Sequence, residues 1–356
     1  MLLDLTASSV DLTRAICDIP SVSGGEVALA DAIEAAVTPL HHLEILRHGN
    51  TVVARTNLGR AQRVVIAGHI DTVPINENVP TRIVDVDGEP HLWGRGTVDM
   101  KGGVAVQLKL AAELTAPVVD ITWMWYDNEE VAAALNGLGL LSADRPDLFQ
   151  ADFAILGEPS NGQVEGGCNG TMRAIVRTKG VRAHSARAWI GENAIHAAAP
   201  ILARLAEYRA KEVQVEGLTY RESLSAVRIT GGVAGNVIPD LCEVEVNYRF
   251  APSKNAADAE AHLRGVLEGF EVEITDAADG ARPGLDAPIA QEFVAAVGAQ
   301  PRPKYGWTDV ARFSAMGIPA VNYGPGDPHL AHHDEEQVPL AQIDAVERGL
   351  RAWLTA

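Results

Sequence analysis

Histidines and carboxylates gather in five short stretches of this chain. They are Gly68-His69-Ile70-Asp71, Gly94-Arg95-Gly96-Thr97-Val98-Asp99-Met100-Lys101-Gly102-Gly103, Asp127-Asn128-Glu129-Glu130, Gly157-Glu158-Pro159 and Ala331-His332-His333-Asp334-Glu335-Glu336. Singly, each has an ordinary reading: a satisfied polar histidine after a strand, a solvated helix start for the Glu pair, a helix N-cap for Asp99. Together they make a mixed imidazole and carboxylate donor set, which divalent ions such as Zn²⁺, Co²⁺ or Mn²⁺ prefer. Asp71, two residues past His69, falls on the same side of an extended chain, where it could hold the second ring nitrogen of that imidazole.

The elements around these stretches explain how they could meet. Apolar runs at residues 64–67, 118–126 and 152–156 read as buried strands, and residues 102–114 as a helix. A second helix, 26–37, opens on Ser23-Gly24-Gly25-Glu26, which has capping-box spacing. This alternation predicts an α/β domain with a mainly parallel sheet, whose ligands collect at the carboxyl ends of the strands. The middle of the chain has another rhythm. Cys242, Val244, Val246, Tyr248 and Phe250 alternate with Glu243, Glu245, Asn247 and Arg249, the mark of a strand with one wet face. Further strands at 171–179, 223–230 and 271–275 are expected, with helices at 255–267 and along Ile195, Ala198, Leu202 and Leu205, kinked at Pro200. The order is β-α-β-β-α-β, a small domain (173–280) inserted into a larger one (1–172 and 281–356).

Composition narrows the class. A chain of 356 residues suggests about two domains, and 47% hydrophobic with 21% charged residues describes an ordinary globular protein. No apolar run is long enough for a membrane span. A net charge of −18 repels nucleic acid and anionic lipid. Cys17, Cys168 and Cys242 lack the pairing or spacing of a disulfide framework or a thiolate metal site. Met1-Leu2-Leu3-Asp4 lacks the basic start of a secretory signal. The expectation is a cytoplasmic protein acting on a small molecule, with neither nucleic-acid nor membrane partners.

His-x-Asp, Gly-Arg-Gly-x-x-Asp-Met-Lys-Gly-Gly, Glu-Glu, Gly-Glu-Pro and His-x-x-x-Glu, in this order, resemble the motifs of the M20 family of co-catalytic zinc amidohydrolases and aminoacylases. The resemblance runs along the whole chain. Within the family, Gly180–Arg187, Gly231–Pro239, Gly306–Phe313 and Asn322–Pro328 are similar to stretches of the actinobacterial succinyl-diaminopimelate desuccinylases. It implies a zinc-exopeptidase-like, three-layer catalytic domain, an inserted α+β lid and dimerisation domain, and a homodimer. It implies two metal ions bridged by Asp99, one completed by His69 and Glu158, the other by Glu130 and His332. Glu129 would be the general base, with Asp71 beside His69 a further catalytic residue, and the Asp99–Met100 peptide would be cis. His332 and His333 compete for the last ligand; the family spacing, with Glu336 four residues on, favours His332.

The implied reaction is hydrolysis of N-succinyl-LL-2,6-diaminopimelate, with acetylornithine deacetylase, another aminoacylase, a carboxypeptidase or a non-catalytic metal-binding relative as alternatives. In the family a His at the position of His184, with an Asn at that of Asn236, helps hold the substrate carbonyl oxygen of the partner protomer. A substrate with three carboxylates needs local cations, for which Arg182, Arg187, Arg249 and Arg312 are candidates, Arg249 foremost. The Gly306-Trp307-Thr308-Asp309 loop departs from the Gly-Gly-Thr-Ser-Asp of many relatives, yet Thr308 still sits where the family contacts a substrate carboxylate.

Overall fold

The computed structural model describes residues 3–356; Met1 and Leu2, the start of the N-terminal stretch read above, lie outside the described residues. The chain divides into two compact units. The larger comprises 1–166, 283–302 and 312–356, the smaller 167–282 and 303–311. The stretch 303–311 thus goes with the smaller unit, where the sequence reading gave it to the larger. It is tied there by backbone and side chain, since Asn169 N donates to Lys304 O and the Trp307 indole to Asp279 O.

In the larger unit six strands of an eight-stranded sheet lie in the order Glu44–His48, Thr51–Arg55, Asp120–Tyr126, Arg63–His69, Phe153–Leu156 and Ala320–Asn322. The last four run parallel to one another, while the first two pair antiparallel. Every residue of Asp120–Tyr126 is buried, as is nearly all of Arg63–His69. Such strands are buried on both faces, which is why their sequences read as unbroken apolar runs rather than as alternations. The helix Lys101–Glu113 is buried almost all round. It packs against the His69 strand and against the helices Ser9–Cys17 and Leu340–Thr355. Gly103 is what permits this fit: a Cβ there would lie 2.2 Å from the Gly157 carbonyl oxygen.

The helix Val27–Val37 forms where expected, but Ser23 does not cap it. The Ser23 hydroxyl donates instead to Asp71 Oδ2 at 2.7 Å, and the helix has no side-chain cap. A second, three-stranded sheet was not foreseen. Arg82–Val86 and Glu89–Trp93 form a hairpin about Asp87 and Gly88, both at positive φ, and Gln337–Pro339 adds to its edge.

The smaller unit is a four-stranded antiparallel sheet in the order Ser223–Gly231, Leu241–Phe250, Gly170–Lys179, Glu271–Ala278. Its core joins Val244, Val246 and Tyr248 to Ile201, Leu205 and Leu263 of its helices. The helical pattern around Pro200 is two helices, Ala194–Ala197 and Ala199–Glu207, with the proline in the first turn of the second, where its missing N–H costs nothing. A hairpin, Glu212–Val215 with Leu218–Arg221, turns on Glu216-Gly217.

Candidate metal centre

Three of the chemistry-bearing stretches of the larger unit follow the carboxyl ends of its parallel strands, while the Asp99 stretch follows Glu89–Trp93 of the second sheet. His69 closes its strand, Glu129 and Glu130 follow Tyr126, Glu158 follows Leu156, and Asp99 immediately precedes the helix Lys101–Glu113. The ligand atoms of His69, Asp99 and Glu158 lie within 4.8 Å of one another, and so do those of Asp99, Glu130 and His332. Asp99 belongs to both groups. Its Oδ1 is 3.1 Å from His69 Nε2, and its Oδ2 is 3.3 Å from His332 Nε2. His332 Nε2 also lies 2.8 Å from Glu130 Oε1. His333 turns elsewhere, its Nδ1 accepting from the backbone N–H of Glu335. The Asp99–Met100 peptide is cis.

Glu129 stands beside these groups, within the same 4.8 Å limit of His69 and Glu130. The fully buried Asp71 carboxylate accepts the backbone N–H groups of Glu129 at 3.0 Å and Glu130 at 3.1 Å, which fixes the pair. Its expected grip on His69 is looser than the spacing suggested. His69 Nδ1 lies 3.0 Å from the Asp71 carbonyl oxygen and 3.5 Å from the carboxylate, because that carboxylate is committed to the Glu pair and to Ser23.

Three carboxylates and two imidazoles this close are an oxygen–nitrogen donor set short of positive charge. The imidazoles show the imbalance. Burial pushes the His69 pKa down, yet Asp71 and Asp99 outweigh it and leave the ring well above its usual value. Hydrogen bonds to Asp99 and Glu130 raise His332 to about 10. Divalent cations in the two groups would take over that compensation, so the residues fit them.

Glu26 is a neighbour that the sequence did not single out. Its buried carboxylate accepts from Gly24 N and, at 3.3 Å, from Asn128 N. The lead-in residue Asn128 is at positive φ, and the Asp127 side chain before it accepts from Thr51 Oγ1. His332 is likewise at positive φ, an uncommon state for a residue other than glycine.

The remaining candidates are spread over both units. In the larger, the Arg312 guanidinium lies against Gly139. In the smaller, His184 is exposed and its Nδ1 accepts from Ala186 N, while the Asn236 carbonyl accepts from Ser185 N. Arg187 is exposed on the 3₁₀ segment Ser185–Ile190 that His184 caps. Arg182 pairs with Asp240 at 2.9 Å on the surface, so its charge is already met there. Arg249 is half-buried, donates from Nε to Asn247, and is held below its usual pKa by burial and by Arg173. The Thr308 side chain is buried, and its carbonyl receives the Cys168 thiol.

A family model described as peptidase family M20/M25/M40 matches residues 65–356. A Mycobacterium tuberculosis protein with the provisional name succinyl-diaminopimelate desuccinylase DapE is 52% identical over 356 residues, covering 99% of both chains. A Corynebacterium glutamicum protein named succinyl-diaminopimelate desuccinylase is 47% identical, covering 99% of this chain and 98% of its own. Among solved structures, a Staphylococcus aureus tripeptidase superposes with a TM-score of 0.78 at 19% identity, covering 99% and 98% of the two chains. That similarity speaks for the fold alone.

Proposed function

The chain belongs to the M20/M25/M40 peptidase family, and from that premise we propose that it hydrolyses the amide bond of N-succinyl-LL-2,6-diaminopimelate to succinate and LL-2,6-diaminopimelate. The observation that carries the reading is Asp99 shared between two donor groups, in a chain 47% identical to a named desuccinylase along nearly its whole length. His69, Asp99 and Glu158 would hold one divalent cation, and Asp99, Glu130 and His332 a second. Zn²⁺ suits this nitrogen–oxygen set best, with Co²⁺ and Mn²⁺ as substitutes. Bound there, the cations would supply the charge that acidifies water and offsets a developing oxyanion.

The chain's own part is proton handling and orientation. Glu129 takes the proton of the attacking water as its oxygen bonds to the amide carbon. It then returns that proton to the nitrogen as the C–N bond breaks, so that the amine leaves neutral. Asp71 keeps Glu129 and Glu130 at fixed positions through their backbone N–H groups. Arg249, with Arg312, Arg187 and Thr308, is proposed for the substrate carboxylates, and Arg182 has the weakest claim because Asp240 already engages it. His184 and Asn236 are proposed to act on the partner's site in a homodimer. Three buried free cysteines accord with the reducing cytoplasm as the proposed place of the reaction.

Hydrolysis of succinyl-diaminopimelate and of acetylornithine, measured side by side with added zinc, tests the reading. The expected result is a large preference in kcat/KM for the succinyl substrate. Preference for acetylornithine, or turnover of neither, overturns it.

A further inference from the structure

The Asp99 loop (residues 94–100) and the His332 loop (residues 328–336) hold each other by a reciprocal exchange. Glu336 sends its carboxylate into the first loop, where Oε1 accepts the backbone N–H groups of Val98 at 2.9 Å and Asp99 at 3.0 Å. Arg95 reaches into the second, donating from Nη1 to Glu336 Oε2 at 2.9 Å and to the His333 carbonyl at 3.3 Å. The backbone N–H of Gly94 completes the exchange on the Glu336 carbonyl at 2.9 Å. Arg95 is 3% exposed and Glu336 0%.

A buried ion pair adds little net stability over well-packed apolar residues of the same size. What this one provides is register. Its hydrogen bonds are directional, and they end on the backbone of Asp99 itself and of the residue after His332. Asp99 Oδ2 and His332 Nε2 lie 3.3 Å apart across the junction. Only the Asp99–Glu130–His332 group draws on both loops, whereas His69–Asp99–Glu158 needs only the first.

We propose that Arg95 and Glu336 are positioning residues that set His332 against Asp99 and so bring the second cation site into register with the first. This rests on the two-cation reading above. In Glu336→Gln the amide presents an NH₂ group either to Arg95 or to the Val98 and Asp99 N–H groups, and one side loses its acceptor. Arg95→Lys replaces a fork that serves two acceptors by a single ammonium.

The test is stepwise Zn²⁺ binding by chelator competition, with thermal unfolding of each metal-free variant alongside. Groups that hold metal ligands typically contribute about 10–100-fold to affinity. In Glu336→Gln one Zn²⁺ equivalent should lose affinity by about that factor and the other by less than about threefold. Excess Zn²⁺ should restore kcat. If Glu336→Gln does not fold, Arg95→Lys carries the same comparison. Equal weakening of both equivalents, or wild-type affinity for both, overturns the proposal. The readout uses no substrate, so a wild-type protein that binds two Zn²⁺ but leaves succinyl-diaminopimelate intact refutes the desuccinylase reading and leaves the positioning role standing. A wild-type protein that takes up only one Zn²⁺ overturns the two-cation reading and the positioning role with it.

Discussion

Glu129 and Glu130 are adjacent and chemically alike, yet the site asks different things of them. Glu130 Oε1 lies 2.8 Å from His332 Nε2, inside a donor group with Asp99. Glu129 is assigned the proton. Glu129→Gln should therefore keep both metal equivalents and lower kcat by about 10²–10⁴-fold, because an amide cannot accept a proton from water. Near-normal kcat in that variant would reassign the base. Glu130→Gln should instead reduce bound metal toward one equivalent per chain, read by metal analysis after dialysis; two retained equivalents would remove Glu130 from the ligand set. The sequence singled out these residues because imidazoles and carboxylates recur in five short stretches and together make a mixed donor set, while their division into two groups came from the family resemblance. What Asp71 and Glu26 do was less legible, since their carboxylates accept from backbone N–H groups that any residue could offer. Spacing alone suggested a helix cap for Ser23 and a hold on His69 for Asp71, and the fold turns Ser23 to the Asp71 carboxylate and Asp71 to the Glu pair.

Among the elements, the buried strands announced themselves through unbroken apolar runs, and the Leu241–Phe250 strand through strict alternation. Two hairpins went unread although each carries a turn signal, Asp87-Gly88 and Glu216-Gly217, with both residues of each pair at positive φ. Their flanking strands are only four or five residues long, too short for periodicity to stand out. The first hairpin matters, because Gln337–Pro339 pairs with it just after the His332 loop. Another element-level device is Asp120 at the start of its strand. Its carboxylate accepts from Leu58 N, Arg60 N and Thr56 Oγ1, all at 2.8 Å. Burial pushes its pKa up, but these bonds outweigh it and hold the carboxyl below the usual value. A depressed folded pKa gives stability that is present above the unfolded value of about 3.9 and is lost as pH falls through the folded value. Asp120→Asn should thus cost about 1.5–3 kcal/mol at pH 7 by urea unfolding, and the gap to wild type should narrow at pH 3. An equal gap at both pH values would contradict this account of Asp120.

For the whole molecule, the sequence indicated two units and their interleaving, and missed that 303–311 leaves the larger one, because a nine-residue loop with no periodicity has no compositional mark of where it docks. Among the described residues no helix is long and apolar enough to cross a membrane. Assembly yields a sharp expectation. If His184 acts across a homodimer, Glu129→Gln and His184→Ala are each inactive alone, yet a heterodimer of the two has one site with both groups. Mixing equal amounts under conditions of verified subunit exchange should restore about a quarter of wild-type activity. Verified exchange without recovery would remove His184 from the partner's site.

The central claim is that the two donor groups sharing Asp99 form a two-cation centre that cleaves the succinyl amide. The most direct measurement is succinyl-diaminopimelate hydrolysis by chelator-stripped protein as zinc is returned in steps, with bound metal counted at each step. Hydrolysis should be absent without metal, rise with loading, and level off at two equivalents per chain, one for each group. Undiminished hydrolysis by the stripped protein, or none at two bound equivalents, would contradict the account.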